Sequence, residues 1–121
     1  MATFTKKKLS GSTDGKAIKV DGDDSAGAVA VHTAVAGTTV GTFDEIWLYA
    51  NNTSATAVKL TIEWGTDTAA DGNIELTVQP EAGLVTIIPG LILQNGMVVE
   101  AFAATADVIL LTGFVNAIAV Y

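Results

Sequence analysis

Residues 58–64 read Val-Lys-Leu-Thr-Ile-Glu-Trp, apolar and polar in strict alternation, and residues 73–79 repeat the pattern with Ile74, Leu76 and Val78 on one side. A period of two belongs to a strand with one face in a core and the other in water. The segment between them, Gly65 to Gly72, is rich in Gly, Asp and Thr and suits a loop, so a long hairpin is expected with Glu63 and Glu75 on solvated surface. Upstream, residues 43–50 contain Ile46-Trp47-Leu48-Tyr49, a further strand that Asn51-Asn52-Thr53-Ser54 closes with turn chemistry. The same Asn run matches two overlapping glycosylation sequons, but the turn is the reading to expect.

Residues 29–35 form a weaker strand and residues 84–88 a short apolar one, which Pro89-Gly90 is expected to break. Residues 91–94 and 97–102 flank Asn95-Gly96, the dipeptide of a type I′ hairpin. No segment sustains the i, i+3, i+4, i+7 spacing of an amphipathic helix. The expected fold is therefore all-β: an antiparallel β-sandwich of about seven or eight strands with an extended N-terminal arm. The long connections and the missing Cys pair lean toward a jelly-roll-like order, with an immunoglobulin-like one as the alternative. Residues 1–27, polar and Lys-bearing, are expected as the arm and residues 28–121 as the sandwich domain.

The stretch 101–121 has the length of a membrane span and one charge, Asp107. Its β-branched residues, Gly113 and Asn116 favour a long final strand instead, and Asp107 at a helix centre would cost about 2.5–3.5 kcal/mol. One side of that strand carries Val108, Leu110, Phe114, Ile118 and Val120; the other carries Ile109, Leu111, Gly113, Val115, Ala117, Ala119 and Tyr121. Both sides are apolar, whereas a half-exposed antiparallel strand should be polar on one. A second copy of the chain is expected to cover Ile109, Leu111, Val115, Ala117, Ala119 and Tyr121, with Gly113 allowing close approach.

Half of the 121 residues are hydrophobic and 16% are charged, which excludes disorder. The formal net charge is −7 with no Arg, so nucleic-acid binding is not expected. All six Lys lie at or before Lys59, and seven acidic residues follow with no base among them. Lys6, Lys7, Lys8, Lys16 and Lys19 are the candidates for an arm that docks on an acidic protein surface. Leu9-Ser10-Gly11-Ser12 follows the lysine run where a signal peptide would be apolar, so export is not expected.

Without Cys and with one His, the chain is short of groups for nucleophilic, metal or proton-transfer chemistry. Gly11 to Lys16 fails as a phosphate loop in spacing and in having Ala17 after the Lys. Asp21, Asp23 and Asp24 cluster as a Ca²⁺ loop would, but Ala26 and His32 stand where its Gly and bidentate Glu belong. His32 is expected to be packed or on the surface rather than a base. Trp47, Tyr49 and Trp64 could stack on a carbohydrate, but core or interface is the expected place for them. No enzymatic activity, cofactor or metal is expected.

The Gly15-Lys-Ala-Ile-Lys-Val, Val31-His-Thr-Ala, Phe43-Asp-Glu-Ile-Trp-Leu-Tyr-Ala-Asn-Asn-Thr and Val58-Lys-Leu-Thr-Ile-Glu-Trp-Gly segments resemble those of small virion structural proteins of tailed bacteriophages. So do Ile88-Pro-Gly-Leu-Ile-Leu-Gln-Asn-Gly-Met-Val-Val, Ala101-Phe-Ala-Ala-Thr-Ala and Gly113-Phe-Val-Asn. The resemblance implies a head decoration, or cement, protein. Such a protein is made in the host cytoplasm, forms a homo-oligomer, preferably a trimer, on the outer capsid surface, and ties the major capsid protein's capsomers together without enzymatic activity or membrane contact. The alternative is a trimeric head- or tail-fibre domain that binds a host surface glycan.

Overall fold

A computed structural model describes residues 1–120. Among them are nine strands: β1 Ala2–Lys8, β2 Ile18–Val20, β3 Val29–Thr33, β4 Phe43–Asn52, β5 Val58–Trp64, β6 Asn73–Val78, β7 Val85–Leu93, β8 Val98–Ala103 and β9 Ile109–Val120. A single 3-10 turn occupies Ser25–Gly27. The strands form an antiparallel β-sandwich. The larger sheet runs β1-β9-β4-β7 with β2 also on β9, and the smaller runs β3-β8-β5-β6.

The pairing is nested. β5 pairs with β6, β4 with β7, β3 with β8, and both β1 and β2 with β9, so the chain is one long hairpin folded back on itself. The innermost pair is the hairpin expected from alternation, with Leu60 opposite Leu76 and Ile62 opposite Ile74. Contact of β9 with β4 and of β8 with β5 then joins the nested pairs into two sheets.

Ile46, Leu48, Leu60, Ile62, Ile88, Val99, Ile109, Leu111 and Val115 are fully buried between the sheets. Each contributes about 1.5–3 kcal/mol of burial. A one-residue slip of β4 would exchange Ile46 and Leu48 for Glu45 and Trp47, so the core fixes the register.

The structure departs from the expected arm at residues 1–27. β1 pairs with β9 over its whole length, from Ala2 opposite Val120 to Lys8 opposite Phe114. Leu9, Ile18 and Val20 are buried in the core. β9 would otherwise leave an edge of unpaired N–H and C=O groups, which β1 and β2 satisfy. Every residue of β1 is exposed, so no burial periodicity could announce it.

Pro89-Gly90 does not end β7. The strand continues to Leu93, with register shifts opposite Ile46/Trp47 and Leu48/Tyr49. It is an edge strand, where the missing Pro N–H costs no ladder bond and bulges absorb the extra residues. Asn95 and Gly96 have the positive φ of the expected turn, 63° and 67°. The flanking strands, however, belong to different sheets, so the turn carries the chain across the sandwich rather than closing a hairpin.

The expected oligomer face is also corrected. Ile109, Leu111 and Val115 are fully buried in the chain's own core, and Ala117 and Ala119 share their side of β9 in half-buried positions. Tyr121 lies outside the described residues. Gly113 does permit a close approach, but to β4 of the same chain: a Cβ there would lie 2.0 Å from the Trp47 carbonyl oxygen.

Candidate interaction face

On β4, Phe43, Glu45, Trp47 and Tyr49 alternate with the buried Asp44, Ile46, Leu48 and Ala50, and so project away from the core. The β9 partners of this outward set are Ile118, Asn116, Phe114 and Thr112. On the far side of β9, Phe4 lies opposite Ile118, Lys6 opposite Asn116 and Lys8 opposite Phe114. β2 adds Lys19 opposite Leu110, again on the outward side. The outer face of the larger sheet is thus a set of cross-strand rows: Phe4–Ile118–Phe43, then Lys6–Asn116–Glu45–Ile92, then Lys8–Phe114–Trp47. Cross-strand neighbours at about 4.5–5.5 Å between Cβ atoms touch, so each row is one continuous surface.

The centre of this face is aromatic. The Trp47 and Phe114 rings are stacked, with centroids 6.0 Å apart and planes 11° from parallel. Lys6 Nζ sits 4.4 Å from the Phe114 centroid, a cation over the negative face of the ring. The Trp47 Nε1–H donates to Glu45 Oε1 at 2.7 Å, and Asn116 Nδ2 donates to the same oxygen at 3.0 Å. The Asn116 bond and then the Trp47 bond hold the Glu45 carboxyl below the ordinary carboxylate range, against a smaller opposing effect of burial.

The rim is apolar and open to water: Phe4 is 73% exposed and Ile92 54%. Lys6, Lys8 and Lys19 with Glu45 give these positions a charge of +2 on a chain of −7, so the rest of the molecule carries −9. Of the other two lysines expected to reach a partner, Lys7 faces the opposite side of β1 in register with Val115, and Lys16 lies in the loop before β2.

His32 is buried, and its partners give it a structural task. Ser10 N–H donates to His32 Nδ1 at 3.0 Å, so the ring proton is on Nε2, which meets Asp44 Oδ2 at 2.7 Å. Ser10 Oγ accepts from Thr33 N–H at 2.7 Å. A Ser, a His and an Asp therefore meet in an order that puts a backbone N–H, not the hydroxyl, on the imidazole. The hydroxyl is not activated as a nucleophile. The group ties the Leu9–Ser10 segment to β3 and β4, beside a cleft of about 500 Å³ also lined by Lys7, Lys8 and Val35.

Asp24 accepts from Gly27 N–H at 2.9 Å and caps the 3-10 turn. Asn51 and Asn52 do not form the expected turn but end β4, in register with Leu110 and Ile109, and the chain turns from Thr53 onward. Asn52 is buried, its Nδ2 donating to the Thr56 and Val78 carbonyls and its Oδ1 accepting from Ser54 N–H, so the nitrogen of the second sequon is occupied. Trp64 packs against the core, which leaves Trp47 and Tyr49 as the outward aromatics of the three expected. Phe114, Phe4 and Lys19 joined them only through strand pairing.

Among the described residues no three His, Asp or Glu side chains group so as to hold a metal ion, and no helix is long and apolar enough to cross a membrane. Compared with protein families, curated proteins and solved structures, the chain matches none.

Proposed function

We propose that this chain is a non-enzymatic virion building part: a capsid decoration, or cement, protein that oligomerises, preferably as a trimer, and bridges capsomers on the outer shell of a tailed bacteriophage. The observation that carries this reading is the outer face of the larger sheet, where the exposed Phe4 and Ile92 flank the stacked Trp47–Phe114 pair beside a lysine edge on an otherwise acidic chain. An exposed apolar face of this kind is the usual mark of an interaction surface, and a partner protein fits its mixture of apolar and lysine positions. In this reading the apolar rows meet a second copy, and Lys6, Lys8 and Lys19 meet an acidic surface of the major capsid protein. Self-association elsewhere would bring the −9 remainder of two copies together, which electrostatic repulsion opposes.

The strand order supports the jelly-roll reading. With β1 and β2 counted as two pieces of one interrupted strand, four nested pairs divide into two four-stranded sheets, the arrangement shared by viral capsid and lectin domains. Fold alone does not assign function, and the resemblance to phage structural proteins supplies the rest. Many weak copies bridging capsomers would stabilise the shell by avidity, and binding to the mature shell alone would shift the equilibrium toward it.

The test is particle-based. Purified heads that contain this protein at hundreds of copies, and that lose heat and osmotic resistance when it is stripped, support the reading; full resistance after stripping refutes it. A second reading, a trimeric fibre domain that binds a glycan, draws on the Trp47–Phe114 pair with Glu45 and Asn116 beside it, since a sugar stacks on an aromatic ring and hydrogen-bonds to neighbouring polar groups. It requires a few dozen copies or fewer per particle and retention on immobilised glycan.

A further inference from the structure

The alternation of β5 placed Glu63 on solvated surface, yet Glu63 is 2% exposed. It lies on the outer side of the smaller sheet, directly opposite Glu100 on β8 and opposite Asn73 on β6. Ser25, from the 3-10 turn that packs against β8, covers it: Ser25 Oγ donates to Glu63 Oε2 at 2.7 Å. The other oxygen, Oε1, is buried without a hydrogen-bond partner. Among the described residues no lysine or histidine pairs with either carboxylate; Lys59, the basic residue on β5, is bound to Glu75.

Two facing carboxylates, one of them buried with an unsatisfied oxygen, are unfavourable on both counts: like charges repel, and a buried acceptor without a donor has lost its water. We propose that Glu63 and Glu100 bind a hard divalent cation, calcium by preference, with Ser25 Oγ beside it. All the donors are oxygens, which selects calcium or magnesium over softer metals, and the flexible coordination of calcium suits an incomplete protein cage. Side chains on facing strand positions, with Cβ atoms about 4.5–5.5 Å apart, can bracket one ion at roughly 2.3–2.6 Å from each oxygen. The ion gives Oε1 its partner, cancels the repulsion and fastens the Ser25–Gly27 turn to the sheet. Glu100 also lines an open cleft of about 380 Å³ with Thr66 and Asp67, through which water fills the remaining positions. Two carboxylates and a hydroxyl make a weak site, with Kd on the order of 10⁻⁴–10⁻³ M. The acidic cluster apparent in the sequence is not the site, because Asp24 is committed to Gly27.

The test is calorimetry of the full chain in EDTA and in calcium chloride, with sodium chloride matched for ionic strength, together with direct calcium titration. At 10 mM calcium the melting temperature is expected to rise by roughly 5 °C. Glu100→Gln should remove the rise, while Glu75→Gln, on the same sheet face but paired with Lys59, should keep it. Glu63→Gln should be at least as stable as the native chain in EDTA, since it removes an unpaired buried charge, and should gain nothing from calcium. If Glu63→Gln does not fold, the Glu100→Gln and native titrations decide. No calcium-specific rise, or an equal rise in Glu100→Gln, overturns the proposal.

Discussion

Gly90 lies against the indole of Trp47: a Cβ at position 90 would come within 2.8 Å of Trp47 Cζ2. Its φ of +85° is also one that L side chains rarely adopt. The bulge in β7 and the placement of the aromatic centre of the outer face are therefore one feature. Gly90→Ala should destabilise the chain by about 1–3 kcal/mol, from strain and from displacement of the indole. Urea unfolding measures the first effect, and a shift in Trp emission of the folded protein measures the second.

Trp47→Ala and Phe114→Ala each remove one member of the stacked pair, worth about 0.5–1.5 kcal/mol within a chain. Neither side chain belongs to the buried core, so both variants should stay folded. If the outer face is the self-association surface, light scattering should show an oligomer for the native chain and a monomer for Trp47→Ala at the same micromolar concentration. A native chain that is already a monomer would refute that use of the face.

Charge reversal separates the lysine edge from the apolar rows. Replacing Lys6, Lys8 and Lys19 together by Glu should abolish sedimentation with purified shells at low salt. Replacing Lys7 and Lys16, which lie off this face, should leave it within a few-fold of native. Native binding should also weaken as salt is raised.

Glu45 supplies a pH dependence with a defined sign. Its folded pKa is lowered by the Asn116 and Trp47 hydrogen bonds, so it binds fewer protons folded than unfolded in the acid range. Its contribution to stability is full above the ordinary carboxylate pKa and is lost as pH falls through the lowered folded value. Glu45→Gln should flatten this part of the acid limb in a plot of unfolding free energy against pH. The indole N–H resonance of Trp47 should report the same titration in the native protein.

His32→Ala should cost about 2–4 kcal/mol, because it leaves the buried Asp44 carboxylate without its donor and frees the Ser10 N–H. The loss is structural. Equilibrium unfolding should show it, and amide exchange should quicken first around residues 9–12 and 32–34.

The outward course of Trp47 shows how far the sequence could be read. Its aromatic and β-branched neighbourhood identified β4, strict alternation identified β5 and β6, and β9 was legible as a strand apolar on both sides. Which side of β9 met the core was not legible, because Ile109, Leu111 and Val115 are as apolar as Leu110, Phe114 and Ile118. Glu63 was misplaced for a related reason: alternation locates the two faces of a strand but not a turn from elsewhere in the chain that covers one of them.

Local chemistry alone determined that this chain is an all-β domain with a period-two core, a turn at Asn95-Gly96 and few groups for catalysis. Tertiary structure decided the rest. It turned residues 2–8 and 18–20 from an arm into strands, because β9 needed hydrogen-bond partners that sit about a hundred residues away in sequence. It assembled Lys6, Phe114, Trp47 and Glu45 on one face, and Glu63, Glu100 and Ser25 on another. Neighbours along a strand are written in the sequence by the pleat, whereas neighbours across strands exist only once long-range pairing has chosen a register.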